Sequence, residues 1–208
     1  MIIQRLPQHF DADPKKVILL YLDPGESDRL TRFAGFVEKL SDEEAAKHYD
    51  ATASLFGHRH RRYNELLLAH AERGRNALYP SPAFSEKQEL VFGSYLSKEY
   101  SVEAAALFNP SIVPHPDQSG LASGETRFVL TLRSVGEGHI SSIGFMEGVI
   151  DAQNKITFTP QGPWRTAGTK VEIAGGDDDH YDIVFDDSIP LSERVIFPQA
   201  SSESMGME

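Results

Sequence analysis

The sequence predicts an α+β fold, with helices in the first half and an antiparallel sheet in the second. Three observations carry that expectation. Helix-start signals precede apolar residues spaced 3 and 4 apart through the first third of the chain. Tyr79-Pro80-Ser81-Pro82 then acts as a breaker. Beyond Asn109-Pro110, β-type runs recur about every 10 to 15 residues with no helical pattern between them. At 208 residues, 40% hydrophobic and 25% charged, the chain is long enough to bury a core and has an ordinary globular composition.

Val17–Leu22 reads as a short strand or extended lead-in. Asp23-Pro24-Gly25-Glu26 supplies an N-cap acceptor, a proline at the first helical position and a carboxylate at the third, and Leu30, Phe33, Ala34, Val37 and Leu40 follow as one apolar face. Ser41-Asp42-Glu43-Glu44 is a capping box that opens a second helix. Its stripe of Tyr49, Ala53, Phe56, His60, Tyr63, Leu67 and His70 runs to a stop at Gly74, predicting one rod of about 30 residues, or roughly 45 Å. Ser85-Glu86-Lys87-Gln88 reopens a helix to about Leu96, and Val102–Leu107 reads as a helical turn ending at Asn109-Pro110. The β-type runs are Phe128–Arg133, His139–Phe145, Lys155–Thr159, Val171–Ala174, Tyr181–Phe185 and Arg194–Phe197, an antiparallel meander with turns at Gly136-Glu137-Gly138, Asn154 and Gly175-Gly176. The expected organisation is a helical region over 1–107 and an antiparallel β region over 108–208.

Charge and composition narrow the function classes. The net charge is −11, and it falls entirely on residues 76–208, because residues 1–75 hold 12 basic and 12 acidic side chains. A groove for a phosphate backbone needs the opposite sign, so nucleic acid is not an expected partner. No apolar run reaches membrane-spanning length, and Gln4, Arg5, Gln8 and His9 interrupt the place of a secretory core, so no membrane partner is expected. The absence of cysteine removes disulfides and thiolate chemistry and points to a cytoplasmic address. No phosphate-loop, His-Glu-x-x-His or Gly-x-Ser-x-Gly signature is present, and neither a cofactor nor a metal is expected.

His58-Arg59-His60-Arg61-Arg62 reads as a solvated helix face with His60 turned inward, or as a patch for an acidic partner. Asp177-Asp178-Asp179-His180-Tyr181-Asp182 lacks the spacing of a calcium loop and reads as a solvated turn. A third group is more informative. Arg133 lies in a strand whose alternate residues are large and apolar, so it needs a partner, and the glycines at 136 and 138 permit a turn that returns His139 toward it. With Asn109 and Ser141, these residues suit the hydrogen-bonding of sugar hydroxyls, or form a purely structural polar network.

Phe108-Asn109-Pro110-Ser111, Arg133, Gly138-His139-Ile140-Ser141-Ser142-Ile143 and Met205-Gly206-Met207-Glu208 resemble, in order, motifs of glycoside hydrolase family 130, the β-mannoside phosphorylases and β-1,2-mannosidases. The resemblance covers about Glu99 to the end and extends over the helical start. It implies a five-bladed β-propeller, with the sheet here forming its first blade or blades. It further implies that Asn109 and Arg133 hold the sugar in the −1 subsite, with His139 and Ser141 close by, and that inversion proceeds by phosphorolysis or hydrolysis, with inorganic phosphate as co-substrate in the former. Family members continue the last motif with an aspartate regarded as the proton donor, whereas this sequence stops at Glu208, so no catalytic residue is expected within it. A full propeller also needs roughly 200 residues or more. The expectation is therefore the N-terminal part of a β-mannoside-processing enzyme that associates with a missing C-terminal part or with copies of itself. The alternative is a non-catalytic module that binds carbohydrate or protein, or an oligomerisation module formed by residues 1–107.

Overall fold

The computed structural model describes residues 8–25, 27–172 and 181–197. It is an α+β structure, and among the described residues it contains no closed barrel or propeller. Two compact units are present. Among the described residues one comprises Val17–Tyr100 with Pro163–Thr166, and the other Ser101–Gly162 with residues 8–16, 167–172 and 181–197.

In the helical unit, β1 (Val17–Tyr21) pairs with β2 (Ser97–Ser101), and between them run α1 (Ser27–Val37), α2 (Asp42–Phe56), α3 (Tyr63–Asn76) and α4 (Glu86–Tyr95). α1 starts later than the sequence predicts. The Asp23 carboxylate accepts from the Gly25 N–H at 2.8 Å, an Asx turn that absorbs the expected cap before the helix begins. Leu30, Ala34 and Val37 are buried along one face. The capping boxes at Ser41/Glu44 and Ser85/Gln88 both form. Gln88 does a second job, its amide donating to the Leu40 and Val37 carbonyls at 2.8 and 3.3 Å and so satisfying groups that the end of α1 leaves open.

The single long helix expected over 41–74 is instead two. A 3-10 turn, Gly57–Arg59, follows α2, His60 is extended, and Arg62 adopts a left-handed φ of 59° before α3. A capping box and an apolar stripe specify a helix but not its continuity, and the break lets both α2 and α3 lie against α4. The basic cluster therefore sits on this turn and not on a helix face. His60 does turn inward, stacked on Tyr63, with its Nε2 2.9 Å from Glu99, which also pairs with Arg59 at 2.8 Å. The turn is further held by Trp164, which donates to the His58 carbonyl at 3.1 Å and carries the Arg61 guanidinium 4.7 Å from its ring centre. Val37, Ala45, Leu67, Ala71, Phe92 and Leu96 are wholly buried in the helical core.

The second unit is built on a sheet of β3 (Ala106–Pro114), β4 (Thr126–Val135), β5 (Ser141–Ile150), β6 (Ile156–Phe158), β7 (Thr166–Ala167) and β10 (Arg194–Ile196), in the order β3-β4-β5-β10-β7 with β6 paired to β5. A separate hairpin joins β8 (Thr169–Glu172) to β9 (Tyr181–Val184). Two expectations are corrected here. Val102–Leu107 is not a helical turn: the Val102 N–H donates to the Lys16 carbonyl, buried Glu103 pairs with the Lys16 ammonium at 2.9 Å, and the chain enters β3 at Ala106. The sheet also departs from a simple meander, because β6 takes the edge of β5 at Gly148–Ile150 while β10 takes the same edge at Ile143–Gly144.

Alternation sorts the two faces as the sequence predicts. Phe128, Leu130 and Leu132 are buried with Met146, the half-buried Ile156 and Phe158 pack against them, and Ser134 meets Ser142 in a buried hydroxyl pair at 2.8 Å. Gly148 is required at its position, since a Cβ there would lie 2.5 Å from both the Phe128 ring and the Thr157 carbonyl oxygen. Gly148→Ala is accordingly expected to destabilise by about 2 kcal/mol through overpacking, a loss that urea unfolding measures. Residues 177–180 of the acidic run, the Gly175-Gly176 turn and residues 198–208 lie outside the described residues.

Candidate functional site

Arg133 lies on the face of β4 opposite Phe128, Leu130 and Leu132, and its surroundings follow from strand register. β4 pairs with β5 so that Arg133 opposes Ile143 and Val135 opposes Ser141, which puts Ser141 diagonally next to Arg133 on one face. On the other side, Phe108 opposes Arg133 and Ser111 opposes Thr131, leaving Asn109 and Pro110 together opposite the single residue Leu132. That is a β-bulge, with Asn109 at a left-handed φ of 51°. The extra residue keeps both Phe108 and Ser111 on the face of Arg133.

The guanidinium is anchored at two points. Nη2 and Nε donate to the Ser141 hydroxyl at 2.8 and 3.2 Å, and Cζ stands 5.1 Å from the centre of the Phe108 ring. Arg133 is nevertheless exposed, which corrects the expectation of a buried charge that must be paired. Two of its five N–H donors are engaged, and the others have no partner among the described residues. Ile143, Phe145 and Thr131, all half-buried, continue the face.

The sequence-derived residues are thus brought together only in part. Arg133 and Ser141 are in direct contact. Asn109 is exposed at the bulge, adjoining Phe108, and has no hydrogen bond to Arg133. His139 does not return to Arg133: it sits exposed at the end of the 3-10 turn Glu137–His139, with φ of 62°, and β5 begins only at Ser141. Phe108 joins this group without having been assigned a role by the sequence, through the pairing of the bulged Asn-Pro strand with β4.

A charged, planar donor beside an aromatic ring and a hydroxyl, on a half-exposed sheet face, suits binding of hydroxyl-rich or anionic groups. Among the described residues the hydrogen bonds of Arg133 go to the Ser141 hydroxyl and not to a carboxylate. No cluster of metal-ligating side chains occurs among the described residues, and no helix among them is long and apolar enough to cross a membrane. No family model, curated protein or solved structure matches the chain.

Because Arg133 is exposed and held by a neutral hydroxyl, Arg133→Ala is expected to cost only about 1 kcal/mol of stability, from lost stacking and hydrogen bonding. A buried ion pair broken at one partner would lose roughly 3 to 5 kcal/mol. Thermal and urea unfolding of the variant separate these values.

Proposed function

We propose that this chain supplies the N-terminal part of a carbohydrate-active enzyme resembling glycoside hydrolase family 130, in which the sheet carrying Arg133 contributes to a propeller and to the sugar-binding surface for a β-mannoside. The observation that carries this is the Arg133 guanidinium, fixed by Ser141 and Phe108 with donors to spare on an open face. In this reading Arg133 donates to sugar hydroxyls, Phe108 offers a ring against the apolar side of the sugar, and Asn109 and His139 flank the bound ring from the bulge and the turn.

Inverting cleavage, by phosphate or by water, requires attack at the anomeric carbon from the side opposite the leaving group and a proton delivered to the departing oxygen. Within the described residues, the part played at the −1 sugar is binding and orientation. General acid catalysis is worth about 10² to 10⁴-fold. The sheet that carries Arg133 is therefore expected to contribute binding of β-mannosides, and not proton delivery, to such a reaction.

Calorimetric titration with β-1,2-mannobiose tests the proposal. The native chain is expected to bind, and Arg133→Ala to weaken binding by about tenfold, the loss of one charge-assisted hydrogen bond of roughly 1.5 kcal/mol. Equal affinity in the two proteins overturns the role of Arg133.

A further inference from the structure

The helical unit leaves an aromatic cluster at its surface. Phe33 of α1 stacks on Tyr95 at the end of α4, with ring centres 5.4 Å apart, and Phe36 meets Tyr95 edge-on at 5.8 Å. Phe36 also meets His48 of α2 edge-on at 5.8 Å, so the cluster bridges α1 and α2. Phe36, His48 and Tyr95 are exposed, and Leu55, 65% exposed, lies two turns beyond His48 on the same side of α2. A contiguous exposed patch of large apolar side chains marks an interaction surface.

The two rims of this patch differ in charge. Arg32 stands one turn before Phe36 on α1, and Lys39 three residues after it, both exposed. The Arg32 Nε–H donates to the Asp28 carbonyl at 3.3 Å, and neither cation has a carboxylate partner among the described residues. On the α2 side, the carboxylate of Glu44, one turn before His48, is held by the N–H and the hydroxyl of Ser41 at 2.9 and 2.8 Å. Ala51 and Leu55 continue that side as an uncharged edge. Arg32 and Lys39 are about 10 Å apart along the chain's helical rise, as are His48 and Leu55.

We propose that this patch docks an amphipathic helix of another protein, whose apolar stripe covers Phe36, Tyr95, His48 and Leu55 and whose acidic side chains, about two turns apart along one edge, meet Arg32 and Lys39. A second copy of this chain fits less well, because Glu44, the carboxylate on this patch, is already held by Ser41 and cannot answer Arg32 and Lys39. An anionic membrane also fits less well, since a net charge of −11 opposes its approach.

Fluorescence anisotropy with the full chain tests this with two labelled peptides of about 18 residues, long enough to form a helix. Both carry leucines spaced 3 and 4 apart, one with glutamate and the other with lysine at the remaining positions. The glutamate peptide is expected to bind saturably, roughly tenfold or more tighter than the lysine peptide, and less tightly as salt is added. Backbone amide NMR shifts on binding are expected at residues 32–39, 48–55 and 95. Arg32→Glu and Lys39→Glu are each expected to weaken binding about tenfold, and Leu55→Ser, at a position the core does not use, by a similar factor. Absence of binding, equal affinity for the two peptides, or shifts confined to other residues overturns the proposal. Self-association of the chain, or its binding to phosphatidylserine vesicles, overturns it as well if Leu55→Ser abolishes that association, because the patch then has a different occupant.

Discussion

Gly93→Ala is expected to destabilise the helical unit by about 3 kcal/mol or more, although helix propensity alone favours alanine over glycine by about 1 kcal/mol. The reversal comes from the crossing of α3 and α4. A Cβ on Gly93 would stand 2.0 Å from the Leu67 carbonyl oxygen and 2.7 Å from its carbon, both backbone atoms of the facing helix. Rotamer changes cannot relieve that contact, so α4 must retreat from α3 and open the layer that buries Leu67, Phe92 and Leu96. The reciprocal Gly74→Ala meets the Leu96 Cδ1 at 2.2 Å, the end of a side chain that can rotate, so its loss is expected to be about half as large. Urea unfolding of both variants measures the two costs. A Gly93→Ala protein as stable as the native one contradicts the crossing.

The second large effect is a loss of stability in acid that originates at His70. Its ring is buried, edge-on to Tyr21, and burial, with Arg73 adding repulsion, lowers its pKa to about 4. Ser97 donates its hydroxyl hydrogen to the Gly93 carbonyl at 2.8 Å, so the 2.7 Å contact between His70 Nδ1 and Ser97 Oγ is an Nδ1–H donation from neutral imidazole. The unfolded chain protonates this histidine near pH 6.5 and the folded chain near 4, so between those values the unfolded state binds the extra proton. Stability is therefore constant with respect to His70 above pH 6.5, falls by about 1.4 kcal/mol per pH unit below it, and levels off near pH 4 after a loss of about 3 kcal/mol. His70→Gln retains a donor toward Ser97 without the titration, and its unfolding free energy is expected to decline less by that amount across the same window. Parallel pH profiles for variant and native protein contradict the assignment.

How far the sequence discloses this structure differs between local and long-range features. Both capping boxes, the inward turn of His60 and the opposite facing of Leu132 and Arg133 follow from patterns a few residues long, and each is present. The break at Gly57–Arg62 was not legible, because the apolar stripe continues through it and the reason for the turn is α4, about 30 residues further on. β3 is not legible in the sequence because Pro110 and Pro114 argue against a strand. It is an edge strand, where a missing N–H can face away from the ladder, and the bulge takes up one of the prolines.

The candidate site divides in the same way. Contact between Arg133 and Ser141 follows from two-residue alternation across a hairpin, given the turn at Gly136–Gly138. The stacking of Phe108 depends on register with a bulged strand, and the displacement of His139 on a left-handed turn residue that histidine adopts infrequently.

The central claim, that Arg133 is a sugar-binding donor, is tested most directly at its own Nε–H. In the native chain, titration with β-1,2-mannobiose followed by side-chain NMR of the arginines is expected to move the Arg133 Nε–H signal saturably while that of Arg127, tied to Asp117 and Ser119, stays in place. An unmoved Arg133 signal at sugar concentrations that saturate the chain, or equal movement of Arg133 and Arg127, contradicts the claim.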